Sequence, residues 1–354
     1  MSDPQEDIPQ EGLSQEAAKD VAVVAKGGAV QIVGQFTQRL LSMFFSIAAG
    51  RILGPPVYGI YRQVVQILII GGQLGLAGFN YAAMRFIALA RATDRPGGVK
   101  GAARVALTGT ITASALVFVA LVVGAEVIAR PFEPDDAARA DELATLLRIG
   151  AAYVPLFGAM QVLRYCTQGY KTMVPSVIAG NLVQPSALFV LGVGALLLGF
   201  GVSGAVTSLV VSIAAGATVA AFLFARLLNE EQRRAVPEAD RGAMVRFALP
   251  QAGASLLGIQ SLGLGIILLG LISEPAAVAF FSAALALEAP GGIFLSGIVN
   301  IWAPVVSDLH GKGAIERLGS LYQTITRWVA TFSFPFFAAL ILEPDLFLEV
   351  TFGP

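Results

Sequence analysis

The chain has 354 residues, of which 56% are hydrophobic and 13% charged, against roughly 25% charged in ordinary soluble domains. With a mean hydropathy of +0.74, this excludes a soluble globular protein and implies an all-α polytopic membrane protein. Net charge is −1, from 23 basic and 24 acidic residues, so no global field exists to attract nucleic acid.

Residues 1–20, MSDPQEDIPQEGLSQEAAKD, are acidic and lack the basic stretch and apolar core of a signal peptide, and they read as a disordered cytoplasmic tail. Beyond them run nine apolar stretches of the length needed to cross ~30 Å of hydrocarbon. They are Gly27–Gly50, Gln63–Ala83, Ala102–Ile128, Ala144–Tyr165, Val174–Leu198, Ala205–Leu227, Val245–Leu271, Ala276–Val306 and Leu318–Leu342. Basic residues mark the cytoplasmic ends of spans. Sixteen, including Arg85, Arg91, Lys100, Arg164, Arg233 and Arg246, fall in the tail and in the loops after even-numbered spans, against five in the other loops. The N-terminus is therefore expected inside. The acidic EPDDAARADE, Glu133–Glu142, is then outside, and no outer loop is long enough for a separate domain.

In the first span Gln31, Gln35, Gln38, Arg39, Ser42 and Ser46 recur at spacings of three and four, which aligns them as one polar stripe on a helix. A central Arg costs about 2.5–3.5 kcal/mol on insertion scales, so Arg39 must face water or a partner. It either binds an anion such as phosphate with its planar fork or packs the bundle through a carbonyl or carboxylate. Arg62 opens the second span, where Gln63, Gln66 and Gln73 extend a polar edge; it lines the same cavity or anchors the interface. Asn181, Gln184, Gln251, Ser255 and Gln260 lie inside spans, placed to bond sugars or neighbouring helices. Cys166 reads as a buried or boundary thiol, and with single Cys166 and His310 residues neither an intrachain disulfide nor a histidine metal site can form.

Glu288 lies near the middle of the eighth span and precedes Ala289-Pro290-Gly291-Gly292, a sequence that invites a break in the helix. It is either an ion-coupling carboxylate or a structural partner for Arg39 or Arg327. Arg327 is shallower, so substrate binding and snorkelling are both open to it. There is no Walker A sequence to hydrolyse ATP, and no cofactor is expected.

Arg51-Ile-Leu-Gly-Pro-Pro-Val-Tyr-Gly-Ile-Tyr61, followed by Gly75-Leu-Ala-Gly-Phe-Asn-Tyr-Ala-Ala-Met-Arg-Phe-Ile-Ala88, resembles the opening helices of polysaccharide flippases. These are the O-antigen and capsule exporters of the multidrug/oligosaccharidyl-lipid/polysaccharide exporter superfamily. The resemblance implies two repeat-related six-helix lobes around a cavity that opens alternately to either side of a bacterial inner membrane. It implies no enzymatic activity, a polyprenyl-diphosphate-linked oligosaccharide as substrate, and a polymerase and glycosyltransferases as partners in surface polysaccharide biosynthesis. Aligning Leu53–Tyr61 with Ile272–Phe280 matches a Pro and an aromatic end and maps spans one and two onto seven and eight. The expected organisation is thus a six-span lobe at 21–228, a cytoplasmic loop at 229–244 and a partial second lobe of three spans at 245–354. On that expectation the chain is a truncated or partial sequence. The alternatives are an ion-coupled drug or cation antiporter of the same superfamily, a transport-incompetent remnant, or a membrane-embedded polymerase or glycosyltransferase. The last would need carboxylates at one membrane face, and only EPDDAARADE offers them.

Overall fold

The computed structural model describes residues 10–257, 263–288 and 315–352, and every regular element among them is helical. Helix α1 runs Gln10–Leu53. It starts inside the acidic segment expected to be unstructured, because Glu, Gln, Ala and Lys are good helix formers and carry the first span's helix toward the N-terminus. After a turn at Gly54, α2 (Pro55–Leu76) and α3 (Phe79–Ala92) follow, then α4 (Pro96–Val123) and the short α5 (Ala125–Ala129). A 3₁₀ turn, Arg130–Phe132, leads to α6 (Ala137–Gly150) and α7 (Tyr153–Gln168).

Next come α8 (Val174–Val177), a π-helical turn (Ile178–Val183) and α9 (Gln184–Leu197), then α10 (Gly201–Leu227) and α11 (Glu230–Arg234). The remaining helices are α12 (Arg241–Leu257), α13 (Leu264–Ile272), α14 (Pro275–Glu288), α15 (Ile315–Leu342) and α16 (Pro344–Phe352).

Among the described residues, five helices or continuous helix pairs are long and apolar enough to cross a membrane, and the bent pair α2–α3 makes a sixth. They coincide with spans two to six and nine of the sequence reading. The second span bends by 41° between α2 and α3, where Ala77 and Gly78 take positive φ values of 46° and 74°. The described residues of the seventh form α12 and α13, and α13 starts after Gly263 at φ 77°. Much of the eighth span, with Pro290, Gly291, Gly292 and Trp302, lies outside the described residues, as do Gln260, Asp308 and His310.

In a bilayer, helices associate by close packing, because lipid tails are as apolar as Leu. The contacts between the 21–228 segment and the helices after it are of this kind. Gly59 of α2 lies so close to α14 that a Cβ there would sit 1.8 Å from the Pro275 carbonyl oxygen. Gly78, at the bend, meets α12, with its Cβ position 2.1 Å from the Ala248 carbonyl oxygen. Beyond it Phe86 packs edge-on against Phe247 at 6.2 Å, with the Arg85 guanidinium 4.5 Å over the same ring.

The segment joining the two parts is pinned to the start of α4. The Glu238 amide donates to the Gly97 carbonyl at 2.9 Å, and Lys100 Nζ donates to the carbonyls of Arg233 and Ala235. The opposite end carries the Gly54 turn and the Ser273–Glu274 turn, and is the one that the basic loops assign to the outside; it is termed the outer end. Here Arg51 donates to the Val350 and Thr351 carbonyls at the end of α16, which suits a cation to a helix C-terminus.

Gly78→Ala should lower the unfolding temperature in detergent. It places a side chain in the left-handed region, at a cost of about 1–2 kcal/mol, and drives it into the α12 backbone. Gly194→Ala is the control: nothing lies within 4 Å of its Cβ position, so the gain of up to ~1 kcal/mol in helix propensity should leave the temperature unchanged or raised.

Candidate functional site

The polar stripe of α1 faces a cavity of about 440 Å³, within the range of roughly 300–1,000 Å³ typical of small-molecule sites. From α1 it is lined by Gln35, Gln38, Arg39, Ser42, Met43 and Ser46; from α2 by Arg62; from the π-helical turn by Asn181; and from α14 by Ser282, Leu285 and Ala286. Helical spacing collects the α1 residues. Gly54 and the Pro55-Pro56 start of α2 then turn the chain back, so that Arg62, two turns into α2, joins them.

The cavity's charge is one-sided. Arg39 and Arg62 line it, and no carboxylate does among the described residues. Arg62 Nε and Ser282 Oγ are buried without a hydrogen-bond partner, and unpaired buried polar atoms mark where a water or ligand belongs. Gln31 stands one turn from Gln35 toward the inner end, with its Oε1 likewise buried and unpaired. Met43, Leu285 and Ala286 give the pocket an apolar side.

The other sequence candidates fall elsewhere. Glu288 ends the described part of α14 and is exposed, one turn inward of Leu285, without itself lining the cavity. Arg327 is exposed on α15, away from the cavity, and Trp328 beside it is 61% exposed. The Gln63 and Gln66 edge does not extend the cavity. Gln63 is fully buried against Gly270 and Phe132, with both amide atoms unpaired, and Gln66 faces Gly263. Gln184 donates to Ser212 Oγ at 3.3 Å and so joins α9 to α10, whereas Ser255 donates within α12 to the Gln251 carbonyl at 2.9 Å.

Arg164 belongs near the site although its position in the sequence suggested a loop. It sits in α7 and donates to the Ser176 carbonyl at 3.0 Å, Gln161 Oε1 at 2.8 Å and Asn181 Oδ1 at 3.0 Å. Its place at the end of an apolar run looks like a charge marking a span end. The signal that could have found it is the run of Gln161, Arg164 and Gln168 at helical spacing.

At the outer end, Glu133 lies between the two parts of the structure, 8% exposed, with Oε1 unpaired. Loop residues Phe132–Asp136 and the Gly270–Pro275 turn enclose a second, solvent-side cavity there. Burial raises the Glu133 pKa above its ordinary 4.5; Arg139 opposes this, while Asp136 and Glu274 add to it. Glu126, paired to Arg148 at 2.7 Å, is shifted down by that hydrogen bond and charge.

A helical bundle with a bent second span and a cationic cavity between α1, α2, the π-helical turn and α14 defines a polytopic membrane protein with a polar site inside its bundle. The family model described as "Polysaccharide biosynthesis protein" matches residues 24–310, and the chain belongs to that family. Among solved structures, an inward-facing multidrug resistance MATE family transporter of the MOP superfamily aligns with TM-score 0.71 at 17% identity, over 89% of this chain and 72% of that one. The outward-facing conformation of such a transporter gives 0.61 at 17% identity, over 93% and 73%. The eukaryotic MATE transporter AtDTX14 gives 0.59 at 14% identity, over 81% and 67%. These likenesses establish a shared fold. No curated protein sequence matches the chain significantly.

Two outcomes check this geometry. Cys166 is fully buried, so a charged methanethiosulfonate reagent should label Ser42→Cys and Ser46→Cys proteins but leave the native chain unlabelled until it is denatured. For Glu133, a raised pKa means that the folded state holds its proton more tightly than the unfolded one. Its contribution is complete below 4.5 and is lost as pH rises through the raised value. Wild-type stability should therefore fall relative to Glu133→Gln across that window in thermal unfolding scans.

Proposed function

We propose that the protein translocates polyprenyl-diphosphate-linked oligosaccharide from the cytoplasmic to the outer leaflet for surface polysaccharide biosynthesis. The observation that carries this reading is the cavity itself, which has two guanidinium groups, amides and hydroxyls on its walls and no described carboxylate. A diphosphate offers acceptor oxygens and negative charge to match. Arg39 and Arg62 bind it with charge-assisted hydrogen bonds, Gln35 and Gln38 add neutral donors, and Gln31 stands at the inner mouth.

A cavity of about 440 Å³ suits the headgroup and its nearest sugars, while the prenyl chain stays in lipid. Family membership supports the substrate class. The family and fold also argue for a carrier and against an enzyme, and the acidic residues of the outer loop lie apart from the cavity.

The ion-coupling role remains with Glu288, which would extend the Leu285 side of α14 toward the inner mouth. Arg327, exposed on α15, offers the substrate at most a surface contact. A drug-cation antiporter is disfavoured, because moving a cation past Arg39 and Arg62 opposes like charges in a low-dielectric site. The bacterial inner membrane, an inside N-terminus and a polymerase and glycosyltransferases as partners complete the proposal.

Each of Arg39→Ala and Arg62→Ala removes a charge-assisted contact worth about 1.5–3 kcal/mol, so each should weaken prenyl-diphosphate binding by about ten-fold or more. Flipping of a fluorescent lipid-linked sugar in vesicles should slow accordingly. Unimpaired flipping in both variants, or transport of cationic drugs with no binding of prenyl diphosphate, would reject the proposal.

A further inference from the structure

Behind the cavity wall, a chain of hydrogen bonds fixes which atoms the wall presents. A guanidinium has donors only, so the Asn181 atom facing Arg164 at 3.0 Å must be its oxygen. The other Asn181 atom, Nδ2, therefore faces inward and donates to Gln38 Oε1. With its oxygen engaged, Gln38 is left with its amide N–H groups toward the cavity that it lines.

Arg164 can do this because it is held on three sides. Its Nε donates to the Ser176 carbonyl and hydroxyl, and one terminal nitrogen to Gln161 Oε1. It also lies against the bare Cα of Gly180, where a Cβ would come within 2.3 Å of Cζ. The π-helical turn places Gly180 and Asn181 together beside α7, as such turns often do at functional sites. No carboxylate pairs with Arg164 among the described residues, so its charge is not cancelled locally.

We infer that Arg164 and Asn181 are selectivity-determining positioning residues: the relay from Arg164 through Asn181 to Gln38 makes Gln38 a donor, so that with Arg39 and Arg62 the wall accepts phosphate oxygens and rejects cations. This rests on the functional reading above. It deepens that reading by locating part of the anion preference in a residue that does not line the cavity.

The test uses the purified full chain in detergent, with farnesyl diphosphate as the anionic probe and tetraphenylphosphonium as the cationic one, both followed by calorimetry. In Asn181→Asp both side-chain oxygens accept, so Arg164 keeps its partner while Gln38 must turn its amide N–H groups toward the new carboxylate and its oxygen toward the ligand. The expected result is that farnesyl diphosphate binding weakens about ten-fold or more while tetraphenylphosphonium binding strengthens, both beyond the change in Ser282→Asp, which adds the same charge to the cavity wall without touching the relay, and with the unfolding temperature close to wild type; equal changes in the two variants would overturn the inference. Arg164→Lys retains a donor-only group and should keep the wild-type preference between the probes. An equal loss of both probes in Asn181→Asp would show a purely structural role and overturn the inference. An unchanged preference in Asn181→Asp, together with loss of farnesyl diphosphate in Arg39→Ala, would overturn the inference and leave the reading of the site standing. Undiminished farnesyl diphosphate binding in Arg39→Ala would overturn both.

Discussion

A guanidinium cannot be left bare in hydrocarbon, and this constraint organises the first part of the chain. Each Arg in the middle of a span costs a few kcal/mol unless it meets water or polar partners. Arg39 and Arg62 meet this need by facing a cavity, and Arg164 meets it with a shell of carbonyl, hydroxyl and amide oxygens. The cavity is thus a requirement of the sequence as much as a candidate binding site. Without it α1 could not pack against α2 and the π-helical turn with its polar stripe turned inward.

The two sides of the cavity contribute unequally. The charges and amides come from α1, α2 and the π-helical turn, whereas α14 offers Ser282, Leu285 and Ala286. The seam between them is made of backbone approaching backbone, at Gly59 against Pro275 and Gly78 against Ala248. Phe86 against Phe247, with Arg85 over the same ring, adds side-chain contacts to it. At the outer end the seam is supplemented by the loop of Glu133, and the Arg51 cap ties α1 to α16.

Much of this was legible in the sequence, for identifiable reasons. A stripe at spacings of three and four survives any helix packing, so Gln35, Gln38 and Arg39 are found together on one wall. Membrane-spanning lengths are set by the bilayer, so six of the nine apolar runs, spans two to six and nine, appear where they were expected. The bend at Ala77-Gly78 was hidden because a positive φ at Ala leaves no compositional trace. A π-helical turn has no periodic signature either, and it is this turn that brings Asn181 to both Arg164 and Gln38. Gln63 looked like a continuation of the stripe, but a helix face does not say which neighbour it meets; Gly270 and Phe132 meet it instead. Residues 10–20 were read from charge and not from helix propensity, which prevailed.

The inequality of the walls bears on how the proposed carrier would release its ligand. If the headgroup is held by guanidinium and amide groups of α1, α2 and the π-helical turn, separating α14 from them leaves the binding groups in place and changes only what covers them. Release must then come from water. An ion pair that is strong in a closed, low-dielectric pocket weakens several-fold once the pocket opens to solvent, because Coulomb energy scales inversely with the dielectric. The same arginines can thus hold the headgroup while the cavity is covered and let it go when it is wet, provided that the opening is wide enough to hydrate both. Such an opening must part both the backbone contacts at Gly59 and Gly78 and the ring contact of Phe86 with Phe247.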